Sequence, residues 1–260
     1  MMMREQFARY LLGAASDRGS IRERNEDYYG IYAPRTDELV ESLGILAVVS
    51  DGMGGHLSGA EASKKAVETL GETYFSGALG AGEPEVSHVN RLRWAFLEAN
   101  RRVYETVGEG HNGMAGTTCT AVLLLPASAV IAHAGDSRAY LLRAGAMRQL
   151  TEDHSVVGDM VRRGILSKEE AARHPHRNII TRAVGLRGNL DVDLGEPLAL
   201  EQADRIVICS DGLFAMVGER EMERISSKGS PEKACLTLVK RAKEEGGSDN
   251  ITVIIAEKTA

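Results

Sequence analysis

Cysteine is scarce in this sequence: three residues in 260, Cys119, Cys209 and Cys235. The count is odd and no Cys-x-x-Cys spacing occurs, so a disulfide framework and a cysteine zinc site are both excluded and a reducing compartment fits best. An excess of positive charge is also missing. Lys and Arg total 31 against 37 Asp and Glu, a net charge of -6. A nucleic-acid partner normally leaves a basic footprint, and this balance argues against one. Arg91, Arg93, Arg101 and Arg102 read as the wet face of a helix. Long apolar runs are lacking as well. The longest apolar region, 121–134, is interrupted by Pro126 and Ser128 and is too short to cross a bilayer. The first ten residues carry charges but no apolar core of a secretory signal. What remains is a cytoplasmic chain without a membrane partner, expected to be a monomer. No linker divides it, so one domain over 1–260 is expected.

What the sequence does have is aspartate at the ends of apolar runs. Ile45-Leu46-Ala47-Val48-Val49 reads as a fully buried strand and ends in Ser50-Asp51-Gly52-Met53-Gly54-Gly55-His56. Taken alone, Asp-Gly is a common turn signal. The pattern recurs, however: 130–135 runs into Asp136, 206–210 runs into Asp211-Gly212, and Asp249-Asn250 opens the strand 251–255. If the four ends converge they make an oxygen-lined pocket, which hard divalent cations require.

The rest of the chain frames these strands. Residues 11–16 and 28–32 read as strands joined by the charged run Arg22-Glu23-Arg24-Asn25-Glu26-Asp27, whose plainest reading is a solvated hairpin end. Residues 34–42 read as a polar connection. Ser58 and Glu61 have the spacing of a capping box ahead of a helix with Ala62, Ala66, Val67, Leu70 and Tyr74 on one face. A second amphipathic helix is expected over about 89–106, between glycine-rich loops at 77–82 and 108–113. Strands at 117–125, 129–134, 138–142 and 147–150 suggest an antiparallel meander. Residues 151–187 are basic and weakly apolar, a surface excursion with a capping box at Ser167 and Glu170. A strand at 206–210, a helix opened by Ser230-Pro231 and a last strand complete an α+β pattern: two sheets packed together, with helical pairs outside.

Six pieces together resemble the metal-dependent protein phosphatases of the PPM (type 2C) family, in their bacterial Ser/Thr form. They are Ser16-Asp17-Arg18-Gly19 with Arg22-x-x-Asn25-Glu26-Asp27, then Ser50-Asp51-Gly52-Met53-Gly54-Gly55-His56, Gly116-Thr117-Thr118, Gly135-Asp136-Ser137-Arg138, Ser210-Asp211-Gly212-Leu213 and Gly247-Ser248-Asp249-Asn250-Ile251-Thr252. The resemblance spans residues 16–255. It implies an αββα sandwich, a flap at 151–187 beside the site, and two Mn²⁺ or Mg²⁺ ions with a weaker third. Asp51 matches the ligand that bridges both metals, and the carbonyl of Gly52 matches a ligand of one. Asp211 and Asp249 match ligands of the other. Glu26 and Asp27 match an acidic pair acting through bound water, Asp136 a ligand of the third ion, and Arg22 the arginine that binds substrate phosphate. The implied reaction is hydrolysis of phosphoserine and phosphothreonine by direct attack of a metal-bridging hydroxide, opposing a bacterial Ser/Thr kinase of eukaryotic type.

The donor types suit that chemistry. Carboxylate, carbonyl and water favour Mg²⁺ or Mn²⁺ over zinc, and an arginine forks two phosphate oxygens better than a lysine does. One position departs from the eukaryotic pattern. A histidine follows the Asp-Gly pair there, whereas Met53 stands here, so metal-bound water is the expected acid and His56 is expected to fix the glycine loop. A catalytically silent phosphoprotein-binding module would lack a ligand, yet Asp51, Asp211 and Asp249 are present. A calcium-binding structural protein would need an EF-hand loop, and none occurs.

Overall fold

Alternate residues of the apolar run at 45–49 face different cores, and that two-sidedness organises the molecule. A computed structural model describes residues 2–7, 9–54, 57–76, 87–108 and 115–259. Its elements in chain order are β1 (Met2–Phe7), β2 (Tyr10–Asp17), β3 (Asp27–Tyr32), α1 (Asp37–Leu43), β4 (Ile45–Met53), α2 (Leu57–Phe75), α3 (His88–Val103) with a π-helical turn (Tyr104–Gly108), β5 (Gly116–Thr117), β6 (Cys119–Leu124) and β7 (Ser128–Ala134). There follow β8 (Arg138–Arg143), β9 (Ala146–Gln149), α4 (Val156–Arg162), α5 (Lys168–Arg173), β10 (Asp193–Leu194), β11 (Leu198–Ala199), β12 (Arg205–Cys209), α6 (Asp211–Phe214), α7 (Glu219–Ser226), α8 (Pro231–Glu244) and β13 (Ile251–Lys258). One sheet has the order β1-β2-β13-β12-β8-β9. The other has β10-β7-β6-β4-β3, with β11 also on β7 and β5 on β4.

Ile45, Ala47 and Val49 point between the sheets, where they meet Val122, Ile131, Ile206, Ile208 and Ile254. Leu46 and Val48 point the other way, into the layer under α2 and α3. On the far side Val207, Val253 and Ile255 pack beneath α7 and α8 with Leu238 and Ala242. Side chains alternate across a strand, so a strand covered on both faces reads as an unbroken apolar run. Each fully buried aliphatic side chain contributes about 1.5–3 kcal/mol, enough for a few such strands to hold unfavourable charge at their ends. The αββα architecture expected from the sequence is present, with α2–α3 and α7–α8 as the outer pairs.

Several local expectations need correction. β2 and β3 belong to different sheets, so the charged run 22–27 crosses between sheets and is not a hairpin end. The strands from 117 to 150 are likewise not one meander. β6–β7 form a hairpin in one sheet and β8–β9 in the other. The crossing occurs at Gly135, whose φ of +124° and closeness to Thr118 (a Cβ would lie 2.5 Å from the threonine Cβ) leave no room for a side chain. Residues 37–43, read as connection, form a helix capped by Thr36. α2 begins at Leu57, so Ser58 is already helical and does not cap it. β1, α4, α6, α7, β10 and β11 are not expected from the sequence, α6 and α7 because four and eight residues carry no clear period. Within 151–187 the Ser167–Glu170 capping box is present, and Ser230 caps α8 with Pro231 behind it. His56 and the glycine-rich stretches 77–86 and 109–114 lie outside the described residues.

Candidate metal centre

The strand ends do converge. Asp27, the first residue of β3, and Asp51, near the end of β4, are cross-strand partners. Asp211 opens α6 immediately after β12, Asp249 precedes β13, and Asp136 sits in the turn between β7 and β8. These five carboxylates feel one another strongly. Burial raises the Asp51 pKa well above the carboxylate range, and Asp27, Asp211, Asp136 and Asp249 add to the effect. Burial first, then Asp211 and Asp249, push Asp27 up to about 7 despite a hydrogen bond from Ser210. Asp136 is pushed to about 8 by burial and by Asp211 and Asp153. Asp211 is raised by burial and by Asp249, and it shares a hydrogen bond with Asp51.

Arg22 is the positive group at this end. Its Nη2 donates to Asp249 Oδ2 at 2.7 Å, with the side chains 53% and 33% exposed. Burial opposes the guanidinium charge, but Asp249, Glu26 and Asp51 outweigh it, and the arginine pKa is raised. Glu26 stands differently from the aspartates. Its backbone N–H donates to Asn250 Oδ1 and its carbonyl accepts from Gly52 N and Ser63 Oγ. Its carboxylate lies over Gly59 in the first turn of α2. Gly52 pairs with Thr117 of β5, and a Cβ there would fall 2.1 Å from the Gly59 carbonyl. Only glycine lets helix and strand meet at this point.

The group fits a divalent metal. Asp27 Oδ1 and Asp211 Oδ1 are buried without a hydrogen-bond partner among the described residues, and buried oxygens left unpaired are costly. A hard cation takes oxygens of this kind. Among the described residues no three Asp, Glu, His or Cys side chains stand close enough together to hold an ion as they are.

A family model described as Protein phosphatase 2C matches residues 23–244. The chain belongs to the protein phosphatase 2C family. It is 40% identical over 248 residues to a serine/threonine phosphatase stp of Listeria welshimeri, covering 94% of each chain. It superposes on the serine/threonine phosphatase Stp1 of Staphylococcus aureus with a TM-score of 0.84 at 32% identity, covering 100% of this chain and 98% of that one. The catalytic domain of the phosphatase PstP, solved in complex with 2 manganese ions, gives a TM-score of 0.77 at 30% identity, covering 97% and 99%.

In this protein phosphatase 2C the residues that aim the carboxylates escaped sequence reasoning. Ser210 Oγ donates to Asp27 Oδ2 at 2.7 Å and accepts from Thr252 N at 3.0 Å. Asn250 accepts from Glu26 N and donates to the carbonyls of Arg18 and Arg24 at 2.9 and 2.8 Å. One amide thereby clamps the 18–26 loop to the start of β13. Thr117 Oγ1 and Thr118 N donate to the Asp51 carbonyl, both at 2.8 Å, and Thr118 Oγ1 accepts from Asp51 N at 2.9 Å. Thr118 Oγ1 also meets Ser137 Oγ at 2.7 Å, tying the Asp51 strand to the Asp136 turn. Ser210, Ser137 and Asn250 adjoin aspartates in sequence while Thr117 and Thr118 do not, and nothing in spacing or period marks a hydroxyl as aimed. Among the described residues no helix is long and apolar enough to cross a membrane.

Proposed function

We propose that this protein phosphatase 2C hydrolyses phosphoserine and phosphothreonine in proteins with Mn²⁺ or Mg²⁺ held by its clustered carboxylates. Asp51, the Gly52 carbonyl, Asp211 and Asp249 are the ligands of two ions, Glu26 and Asp27 act through water, and Asp136 serves a weaker third. The observation that carries the reading is a buried set of acids whose charged forms disfavour one another, two of whose oxygens have no partner among the described residues. When bound, two such ions activate a water between them and clamp both oxygens of an in-line displacement.

The protein's own residues do the rest. Arg22 is already ordered beside Asp249, and an ion pair that exposed is worth only about 0–1 kcal/mol. With Asp249 engaged as a metal ligand, the Arg22 guanidinium would be released at little cost, and its fork would be placed to grip two phosphate oxygens of the substrate. Ser210 keeps Asp27 turned toward the centre, and the two threonines fix the carbonyl end of Asp51. The domain acts as one unit over 1–260, as a cytoplasmic monomer, on phosphoproteins that include a Ser/Thr kinase and its targets. The test is phosphate release from a phosphothreonine peptide with Mn²⁺ and with EDTA. Release that needs Mn²⁺ and stops in EDTA is expected. Metal-independent release, or peptide binding without release in Mn²⁺, would sink the proposal.

A further inference from the structure

Leu213 anchors the helix that presents Asp211 in the core under α7 and α8, but the helix is very short. α6 is four residues long, and its N-cap Ser210 makes no capping bond because its hydroxyl is committed to Asp27. A single helical turn does not sustain itself. Something outside it must keep Asp211 aimed, and the last residue of the turn shows what does. The Arg138 guanidinium lies over the Phe214 ring, 3.8 Å from its centroid.

The same guanidinium is fully employed on its edge. Nε and Nη2 donate to the two oxygens of Asp153 at 2.9 and 2.7 Å, and Nη1 donates to Tyr140 Oη at 3.3 Å. Arg138 and Asp153 are only 21% and 16% exposed. Asp153 stands where the chain leaves β9 for the 151–187 excursion, and its neighbour His154 closes a ring with the turn. His154 N donates to the Gly135 carbonyl at 2.7 Å, and Gly135 N donates to His154 Nδ1 at 3.1 Å. Arg138 itself is two residues after Asp136. Three segments therefore meet on one planar cation: the Asp136 turn, the Asp211 helix and the root of the excursion.

We propose that Arg138 is a positioning residue of the metal centre, holding Asp211 through the face of Phe214 and the Asp136 turn through Asp153. The inference rests on the metal-centre reading. A buried ion pair is by itself weak evidence of a role, because an apolar pair of equal volume often serves stability as well. The geometry here is what an apolar pair, or a lysine, would not supply. The fork fixes the plane of the guanidinium, and the plane seats the ring.

Arg138→Lys keeps the charge and removes both fork and face. In metal-free protein, hydrogen exchange at Ala215, Met216 and Val217, whose amides close α6 onto Asp211 and Leu213, is expected to quicken about tenfold. Calorimetric Mn²⁺ affinity is expected to fall about 10–100-fold, as for other outer partners of metal ligands. At saturating Mn²⁺ the KM for a phosphothreonine peptide should stay unchanged, which general damage to the fold would not allow. Phe214→Leu should reproduce both changes and Phe214→Tyr should restore them, so the question is decided even if Arg138→Lys fails to fold. Wild-type exchange at 215–217 together with wild-type Mn²⁺ affinity in Arg138→Lys, or in Phe214→Leu, overturns the proposal. A wild-type protein that binds no Mn²⁺ would instead overturn the metal-centre reading, with the metal-free exchange still deciding whether Arg138 holds α6.

Discussion

Asp204 and Asp27 are both buried aspartates at the edges of the sheets, 3% and 6% exposed, and they are treated in opposite ways. Burial pushes Asp204 up, but the Arg143 fork at 2.9 and 2.6 Å and the Glu201 amide outweigh it, and its pKa ends lowered. Arg205 with Glu257 and Arg138 with Asp153 are further acids supplied with a cation from the chain. At the metal centre burial meets more acids instead, and Asp27, Asp51, Asp136 and Asp211 all move up. The residue type is the same and both side chains are shut off from solvent, although Asp27 is packed more deeply. The difference is whether the sequence places an arginine opposite, and where it does not, the missing cation has to come from outside.

The largest expected effect breaks the comparison at its centre. Asp211→Asn and Asp249→Asn should each lower turnover at limiting Mn²⁺ by more than the roughly 10–100-fold that outer partners of a metal cost, with the fold retained. Wild-type activity in Asp249→Asn at limiting Mn²⁺ would show that the ligand assignment is wrong. Next in size is Arg22→Ala. Losing a charge-assisted hydrogen bond costs about 1.5–3 kcal/mol, so the KM for a phosphopeptide should rise about tenfold or more while Mn²⁺ affinity holds. A solvated loop arginine would leave the kinetics unaltered.

Stability sharpens the contrast, because one substitution should have two signs. Asp204→Asn weakens the Arg143 fork and leaves the arginine to Glu201 and the Ala199 carbonyl, so it should destabilise the fold. Asp211→Asn removes an acid whose charged form is disfavoured among like charges and should stabilise the metal-free protein by about 1 kcal/mol. Urea unfolding in EDTA measures both. Destabilisation by Asp211→Asn as large as that by Asp204→Asn would mean that the acids at the centre are compensated after all.

The same contrast explains what was legible in the sequence. The aspartates could be read because each ends an apolar run, and the run is continuous because β4, β12 and β13 are buried on both faces. The sandwich could be read from those strands together with the Ser230-Pro231 and Ser167–Glu170 helix starts. Sheet membership could not. Whether β2 and β3 pair depends on a crossing at 18–26 that Asn250 clamps from more than 220 residues away, and no local pattern encodes such a contact. α6 and α7 were missed because elements so short carry no period, and α6 is held from outside by Arg138. The aiming hydroxyls of Ser210, Thr117 and Thr118 looked like ordinary turn and strand residues.

The smallest expected effect is in the pH dependence of the metal-free protein. Asp27 and Asp136 ionise near 7 and 8 when folded, against 3.8 for an ordinary aspartate. The folded state therefore keeps protons that the unfolded chain has already lost. A raised pKa gives stability that is complete below about pH 4 and is lost as the pH climbs through the folded values. His133 opposes this on the acid side. Burial, then His154, hold it down to about 4 against 6.5, so its contribution is present above pH 6.5 and is lost as the pH falls toward 4. His88 and His154 are likewise held below their ordinary value by burial, so between pH 6.5 and 8 the raised carboxylates dominate among the described residues, and Tm in EDTA should fall across that window by several degrees. Saturating Mn²⁺ should flatten the slope, since carboxylates bound to a cation have no proton left to lose. A Tm in EDTA that stays level or rises from pH 6.5 to 8 would mean that these acids are ionised in the empty centre, and that some cation of the chain, Arg22 being the nearest at hand, already balances them as Arg143 balances Asp204.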